Sequence, residues 1–249
     1  MIRNSVNVIE KKRAVASVRG LALFAGLLLA SANTQAAFSY TTANGTGADV
    51  YVFNENGDKK GENFNGADNG YLSVVTYNSN WSRKTYLRFD TAGLTGTVQT
   101  ASLRLDFVNV GSATTLNVYG LNDSASGQNW GESAITWNNA PGNDTSSSTG
   151  MDAGSTTLLG SFAVNGNGFA NLSAASLATF LNADTDHLVT FILVPTAGVN
   201  VQAYSKDVTV ATSAMYPTLS GTVPEPASAL ILLAGAGSLA LGRRRRDGR

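Results

Sequence analysis

Between Phe38 and Thr222 the chain sustains no long helical period; short stretches of alternating apolar and polar residues recur instead, broken by Gly, Asn, Ser and Thr. A period of two sends successive side chains to opposite sides of an extended backbone, so this segment is built for many short strands. Strands are expected near Asp49 to Phe53, Tyr71 to Tyr77, Thr85 to Asp90, Ala101 to Asn109, Thr115 to Leu121, Thr157 to Val164, His187 to Val194, Val201 to Ser205 and Thr218 to Thr222. Strands in such number without regular helices between them specify an all-β sandwich or jelly roll and exclude a parallel α/β sheet. One short helix is expected as well: Ser173 is placed as its N-cap, and Leu177, Phe180 and Leu181 fall on one side. Two polar stretches without periodicity, Asn54 to Gly70 and Gly142 to Gly154, read as long loops, which in a domain of this kind are functional or mobile.

The two ends have a different composition. Residues 1–36 carry basic residues (Lys11, Lys12, Arg13, Arg19) before an apolar run from Leu21 to Ala30, and Thr34 and Ala36 fit the small positions before a cleavage point. That is the pattern of a secretory signal peptide, too short in its apolar part for the roughly 20 residues a bilayer span needs. At the other end Val223, Pro224, Glu225 and Pro226 precede an uncharged stretch from Ala227 to Gly242, closed by Arg243, Arg244, Arg245 and Arg246. The prolines stop the preceding strand. The stretch makes about 24 Å of apolar helix at 1.5 Å per residue, and the arginines hold its end on the cytoplasmic side. Three segments are therefore expected: 1–36 as leader, 37–222 as the folded body and 223–249 as a tail with a transmembrane sorting helix.

Net charge supports that division. The whole chain is formally neutral, but residues 37–222 hold 7 Lys+Arg against 14 Asp+Glu, a net of −7. An acidic body does not neutralise phosphates, so nucleic acid is not an expected partner. The sequence has no cysteine, which excludes disulfides and thiolate chemistry.

The tail resembles the PEP-CTERM sorting signal of Gram-negative bacteria. The resemblance implies an exosortase-type membrane peptidase as partner, beside the Sec machinery and signal peptidase at the front. It also implies only transient contact with the membrane, through the tail helix, and a final place at the cell surface or in the extracellular matrix.

Within the body three stretches match one family in order: Ala48-Asp49-Val50-Tyr51-Val52, Arg83-Lys84-Thr85-Tyr86-Leu87-Arg88-Phe89-Asp90, and the run Trp130-Gly131-Glu132-Ser133-Ala134-Ile135-Thr136-Trp137-Asn138-Asn139-Ala140-Pro141. Tyr204-Ser205-Lys206 and Tyr216-Pro217-Thr218-Leu219 extend the match. These resemble the DNRLRE family, carbohydrate-binding modules of the family 96 type related to disaggregatase domains. The resemblance implies a β-jelly-roll that binds polysaccharide, with acidic polymers such as alginate favoured, and without catalysis. Lys206 departs from the pattern, which has an acidic residue there more often.

Strand alternation then proposes a site. In Thr85 to Asp90, Leu87 and Phe89 are expected in the core, with Tyr86, Arg88 and Asp90 on the other face; Arg104 points outward from the next strand. Arginine forks beside an aromatic ring suit a uronate, so Tyr86, Arg88 and Arg104 are the candidate carbohydrate contacts, with Lys84 and Trp81 at their edge. The competing reading pairs the arginines with Asp90 and Asp106 on a solvated sheet. Trp130 and Trp137 are expected to pack. No cofactor is expected, although Glu55-Asn56-Gly57-Asp58 and Asp184-Thr185-Asp186 carry oxygen ligands of the kind a structural calcium takes. No nucleophile elbow, zinc motif or phosphate loop is present, and the one histidine, His187, opens an expected strand. The expected function is an exported, non-catalytic surface or matrix protein that binds an acidic exopolysaccharide. A structural matrix protein without a glycan ligand, and a polysaccharide lyase or hydrolase, are the alternatives.

Overall fold

The computed structural model describes residues 35–55, 70–78, 80–196, 198, 200–209 and 212–225. The leader up to residue 34, most of the first polar loop and the tail helix expected from Ala227 lie outside these residues. Eleven strands are found: β1 (Gln35–Thr41), β2 (Ala48–Glu55), β3 (Tyr71–Asn78), β4 (Trp81–Asp90), β5 (Thr100–Phe107), β6 (Thr114–Leu121), β7 (Thr156–Val164), β8 (Gly168–Ser173), β9 (Leu188–Pro195), β10 (Asn200–Tyr204) and β11 (Thr218–Pro224). One α-helix, α1 (Ala175–Ala183), and a 3₁₀ turn at Ser213–Met215 complete the described elements.

Every pairing is antiparallel, in the order β1-β11-β5-β10-β3-β4-β9-β6-β7, with β2 added along β4 and β8 along β5. The expected all-β fold with one short helix is thus what forms. All nine expected strands are present. β1 and β8 are additional, and β4 starts at Trp81, four residues earlier than expected. The leader cleavage point expected after Ala36 falls inside β1, where Ala36 is paired with Val223. Ser173 does not cap α1: it ends β8, its hydroxyl bonds that of Ser102 at 2.9 Å, and Ala174 occupies the cap position without a side-chain bond. His187 precedes β9 with φ 64°, its N–H donating to Asp184 Oδ2 at 3.0 Å.

The sheet curls round a large core of Leu72, Leu87, Phe89, Leu103, Phe107, Phe162, Leu177 and Phe191 among others. A second apolar cluster lies on the other side of β4 and β9, made of Val50, Val52, Tyr86, Ile192 and Val194 with Trp130, Ile135 and Trp137. β9 shows why: Val189, Phe191 and Leu193 face the large core while Ile192 and Val194 face the second, so both faces are covered and the strand reads as an unbroken apolar run. The cover is the strandless segment between β6 and β7, which contains the Trp-rich motif. Its turns are closed by Ile135 N–H to Gly131 O at 3.1 Å and Ala140 N–H to Thr136 O at 2.9 Å.

One close approach depends on glycine. A Cβ on Gly221 of β11 would stand 2.0 Å from Thr100 O, so a side chain there would force β11 away from β5.

Candidate functional site

β4 is hydrogen-bonded on both edges. β2 runs along one edge from Ala48↔Arg88 to Glu55↔Trp81, and the other edge meets β3 at Arg83 and then β9 from Thr85 to Asp90. With the Trp-rich segment lying over its second face, Ser82, Lys84, Thr85, Tyr86 and Arg88 of β4 are interior. This corrects the expectation that Tyr86, Arg88 and Lys84 meet solvent.

Tyr86 is fully buried; its hydroxyl donates to Pro141 O at 3.2 Å and its ring meets Trp130 edge-on at 6.0 Å. Arg88 is 6% exposed and its guanidinium lies 5.1 Å from the Trp130 ring centre. It donates to Thr46 O through Nε (3.1 Å) and Nη2 (2.6 Å), to Asn129 Oδ1 (3.1 Å) and to Trp130 O. Neither sequence reading of this arginine holds in its geometry, since the Asp90 carboxylate instead accepts the Thr46 N–H (2.9 Å) and hydroxyl (3.0 Å). Lys84 is completely covered. Its ammonium donates to Asn143 Oδ1 (2.7 Å), Asp144 O (3.3 Å), Ser147 O (2.9 Å) and Gly150 O (2.6 Å), and lies 4.5 Å from the Trp137 ring centre. Burial pushes its pKa down to about 7, against the pull of Asp144. The second long polar stretch is therefore a loop wrapped round a lysine, pinned again where Asn143 bridges Met151.

Arg104 belongs to β5, separated from β4 by β10 and β3, so two strands lie between the arginines and they do not form one cluster. It is half-buried, donates to Ala214 O (2.9 Å) and Thr218 Oγ1 (3.2 Å), and stacks 4.6 Å from the centre of the exposed Phe169 ring. Trp130 and Trp137 are buried, with indole N–H bonds to Thr190 Oγ1 (3.0 Å) and Thr145 O (3.1 Å).

Lys206 closes a corner of the family motifs. Its ammonium meets Glu132 at 2.9 Å and Asp207 at 3.1 Å, while Glu132 also accepts the Asp49 N–H at 2.7 Å. Asp49 is 1% exposed and accepts from Thr42 (2.5 Å), Ser205 (2.6 Å) and the Lys206 N–H (3.1 Å). Burial nevertheless pushes Asp49 up to about 6. Burial also works against the Lys206 charge, but Glu132 and Asp207 outweigh it and raise that pKa. The lysine thus fills with its own ammonium a place where three carboxylates converge to within 4.8 Å.

Of the expected site residues, Trp81 stands at an open hollow. It starts β4, half-buried, at the edge of two adjoining hollows of about 530 and 250 Å³ that share Tyr77, Asn109 and Asn200. Tyr77 is 61% exposed at the end of β3, and its hydroxyl accepts the Asn200 amide N–H at 2.7 Å. Asn109 donates to Gln202 Oε1 at 2.5 Å, and Asn167 Oδ1 accepts the Val110 N–H at 3.0 Å. Arg83 lines the same hollow but is held by Glu55 at 3.0 and 2.5 Å. An exposed ring ringed by amides offers an apolar platform with donors and acceptors around it, the combination that receives a sugar's C–H face and its hydroxyls. Sequence reading passed over Tyr77, Asn109, Asn200 and Gln202. The available signal was two aromatics, Tyr77 and Trp81, flanking a polar turn.

The calcium candidates separate. In the first, Glu55 is engaged by Arg83 and residues 56–58 lie outside the described ones. In the second, Asp184 and Asp186 are joined by Asp123, with ligand oxygens within 4.8 Å of one another.

A family model for carbohydrate-binding module family 96 matches residues 40–207, and one for the PEP-CTERM protein-sorting motif matches residues 222–246. No curated protein matches the chain.

Proposed function

Because the chain belongs to carbohydrate-binding module family 96 and ends in a PEP-CTERM motif, we propose that it is a surface module which holds a neutral, hydroxyl-rich polysaccharide on the Tyr77 face. The family is one of binding modules, and the tail directs export to the cell surface or matrix through an exosortase. Secretion through Sec and signal peptidase, as the leader suggests, would precede that sorting.

The carrying observation is Tyr77, exposed beside Asn200, Asn109 and Gln202. An acidic exopolysaccharide would need cations to meet it. Among the described residues, Arg88 and Lys84 are committed to backbone carbonyls, Arg104 to Ala214 and Phe169, Arg83 to Glu55, and Lys206 to Glu132 and Asp207, while Lys59 and Lys60 lie outside those residues. A neutral polymer suits what is left, because amides pair with hydroxyls without needing a counter-charge. The exposed aromatic also argues against a building block without a ligand, for which a polar sheet face would serve.

The test is retention of the processed protein on immobilised neutral glycans (glucans, mannans, galactans) and on uronate polymers. Retention on a neutral polymer, reduced about tenfold by Tyr77→Ala, is expected; loss of one stacking contact is worth about 1.4 kcal/mol. Binding confined to uronates, or a folded Tyr77→Ala protein with undiminished affinity, would move the site elsewhere.

A further inference from the structure

We infer that the cleft between α1 and the β6–β7 strand pair is a second sugar site, shaped for a residue that carries a free ammonium group, a 2-amino-2-deoxyhexose. The cleft encloses about 570 Å³, within the range of small-ligand sites. Its floor is apolar: Leu121, Leu159, Val189 and the face of Phe180. Phe180 is held in place by Phe191, 6.1 Å away, and by Gly120 beneath it, where a Cβ would stand 2.4 Å from the ring. A fixed, half-buried ring at the bottom of a cleft is a stacking surface for a pyranose.

The mouth of the same cleft is acidic. Asp123 and Asp184 line it, with Asp186 beside them. One oxygen of each is anchored: Asp123 by the Thr185 hydroxyl at 2.5 Å, Asp184 by the His187 N–H at 3.0 Å, Asp186 by the Leu188 N–H at 2.9 Å. Among the described residues no Lys or Arg forms an ion pair with any of them. Three fixed carboxylates above an apolar floor repel a uronate and attract a cationic substituent, so the cleft selects a sugar whose ring lies on Phe180 and whose ammonium rises to the rim. Burial, and then the neighbouring Asp186 and Asp123, push Asp184 up to about 6, the consequence of crowding negative charge without a partner. The asparagine and threonine side chains at the rim, Asn122 and Thr157, are bonded to each other at 2.7 Å and lie within reach of the sugar hydroxyls.

This site shares with the preceding reading only the premise that the module takes sugars, and calorimetric titration of the processed protein separates the two. The probes are β-linked glucosamine oligomers, their fully N-acetylated counterparts, and calcium chloride alone. Glucosamine oligomers are expected to bind at least tenfold more tightly than the acetylated ones, and more weakly in high salt. Asp184→Asn should reduce their affinity about tenfold, and Thr179→Trp, on the exposed lining of the cleft, should abolish it. Tyr77→Ala should leave it unchanged. Equal affinity for amine and acetamide, or binding untouched by both Asp184→Asn and Thr179→Trp, would overturn the inference. So would calcium binding lost in Asp184→Asn with no uptake of glucosamine oligomers, which would make the rim a metal site.

Discussion

Replacing Arg88 with alanine tests the burial of β4 most directly, because a solvent-facing arginine and an interior one predict opposite results. On a solvated face the change would cost within about 0.5 kcal/mol. In the structure it orphans the buried Trp130 carbonyl, removes both donors from Thr46 O and one from Asn129, and empties the space against the Trp130 ring. An unsatisfied buried carbonyl costs about 1–3 kcal/mol and a desolvated cation–π contact up to about 2. Relief from desolvating the guanidinium offsets part of this, which leaves a net loss of about 2–4 kcal/mol. At about 2–4 °C per kcal/mol for a body of this size, the thermal midpoint should fall by roughly 4–16 °C. Urea unfolding of the processed protein at neutral pH gives the free energy, and calorimetry the midpoint. Arg104→Ala is the internal control: that side chain is half-exposed and bonds the rim of a turn, so about 1 kcal/mol is expected. Equal, small losses for both variants would refute the interior placement of Arg88. Arg88→Lys should recover less than half of the loss, since an ammonium cannot span Thr46 and Trp130 together.

Two other outcomes are expected. Asp49 is raised to about 6, above its ordinary 3.8, so between those pH values the folded state holds the proton that the unfolded state has released; stability should increase as pH falls from 7 towards 4, Asp49 contributing up to about 3 kcal/mol, and Asp49→Asn should reduce that slope in urea titrations to the part that Asp184, raised likewise to about 6, supplies. A profile of unchanged slope in the variant would show another group responsible. At the tail, replacing Glu225 and Pro226 with alanine while keeping the buried Val223 should preserve the fold and leave the protein in the inner membrane on cell fractionation; normal release would show that the Pro-Glu-Pro triplet is incidental.

Much of the fold was legible because its signal is local. The alternation in β5 and β6 and the unbroken apolar run of β9 gave strands close to their true bounds. β1 was hidden by its position, since Gln35 and Ala36 also look like the end of a leader. β8 is six residues long and begins at a glycine, too short to show a period. The site was less legible for a different reason. Alternation correctly put Tyr86 and Arg88 on the face opposite Leu87, yet which face meets water depends on a strandless segment some fifty residues away in sequence. Trp130 and Trp137 were the clue, because two large rings in a polar segment need a surface to cover. Tyr77 escaped notice for the converse reason: nothing local distinguishes an exposed tyrosine at a strand end from a buried one.

β5 runs between two working ends of the molecule. Thr100, at its start, pairs with Thr222, two residues before Pro224, while Asn109, just past its other end, bonds Gln202 beside the Tyr77 hollow. Nine steps at about 3.3 Å each put roughly 30 Å between Thr100, beside the sorting motif, and the proposed glycan face. If the tail is cut and its new end fixed, the module would stand off from its attachment by the length of this sheet. On the proposed reading, a polymer held on the Tyr77 face would then lie at the end of the sheet away from the sorting motif.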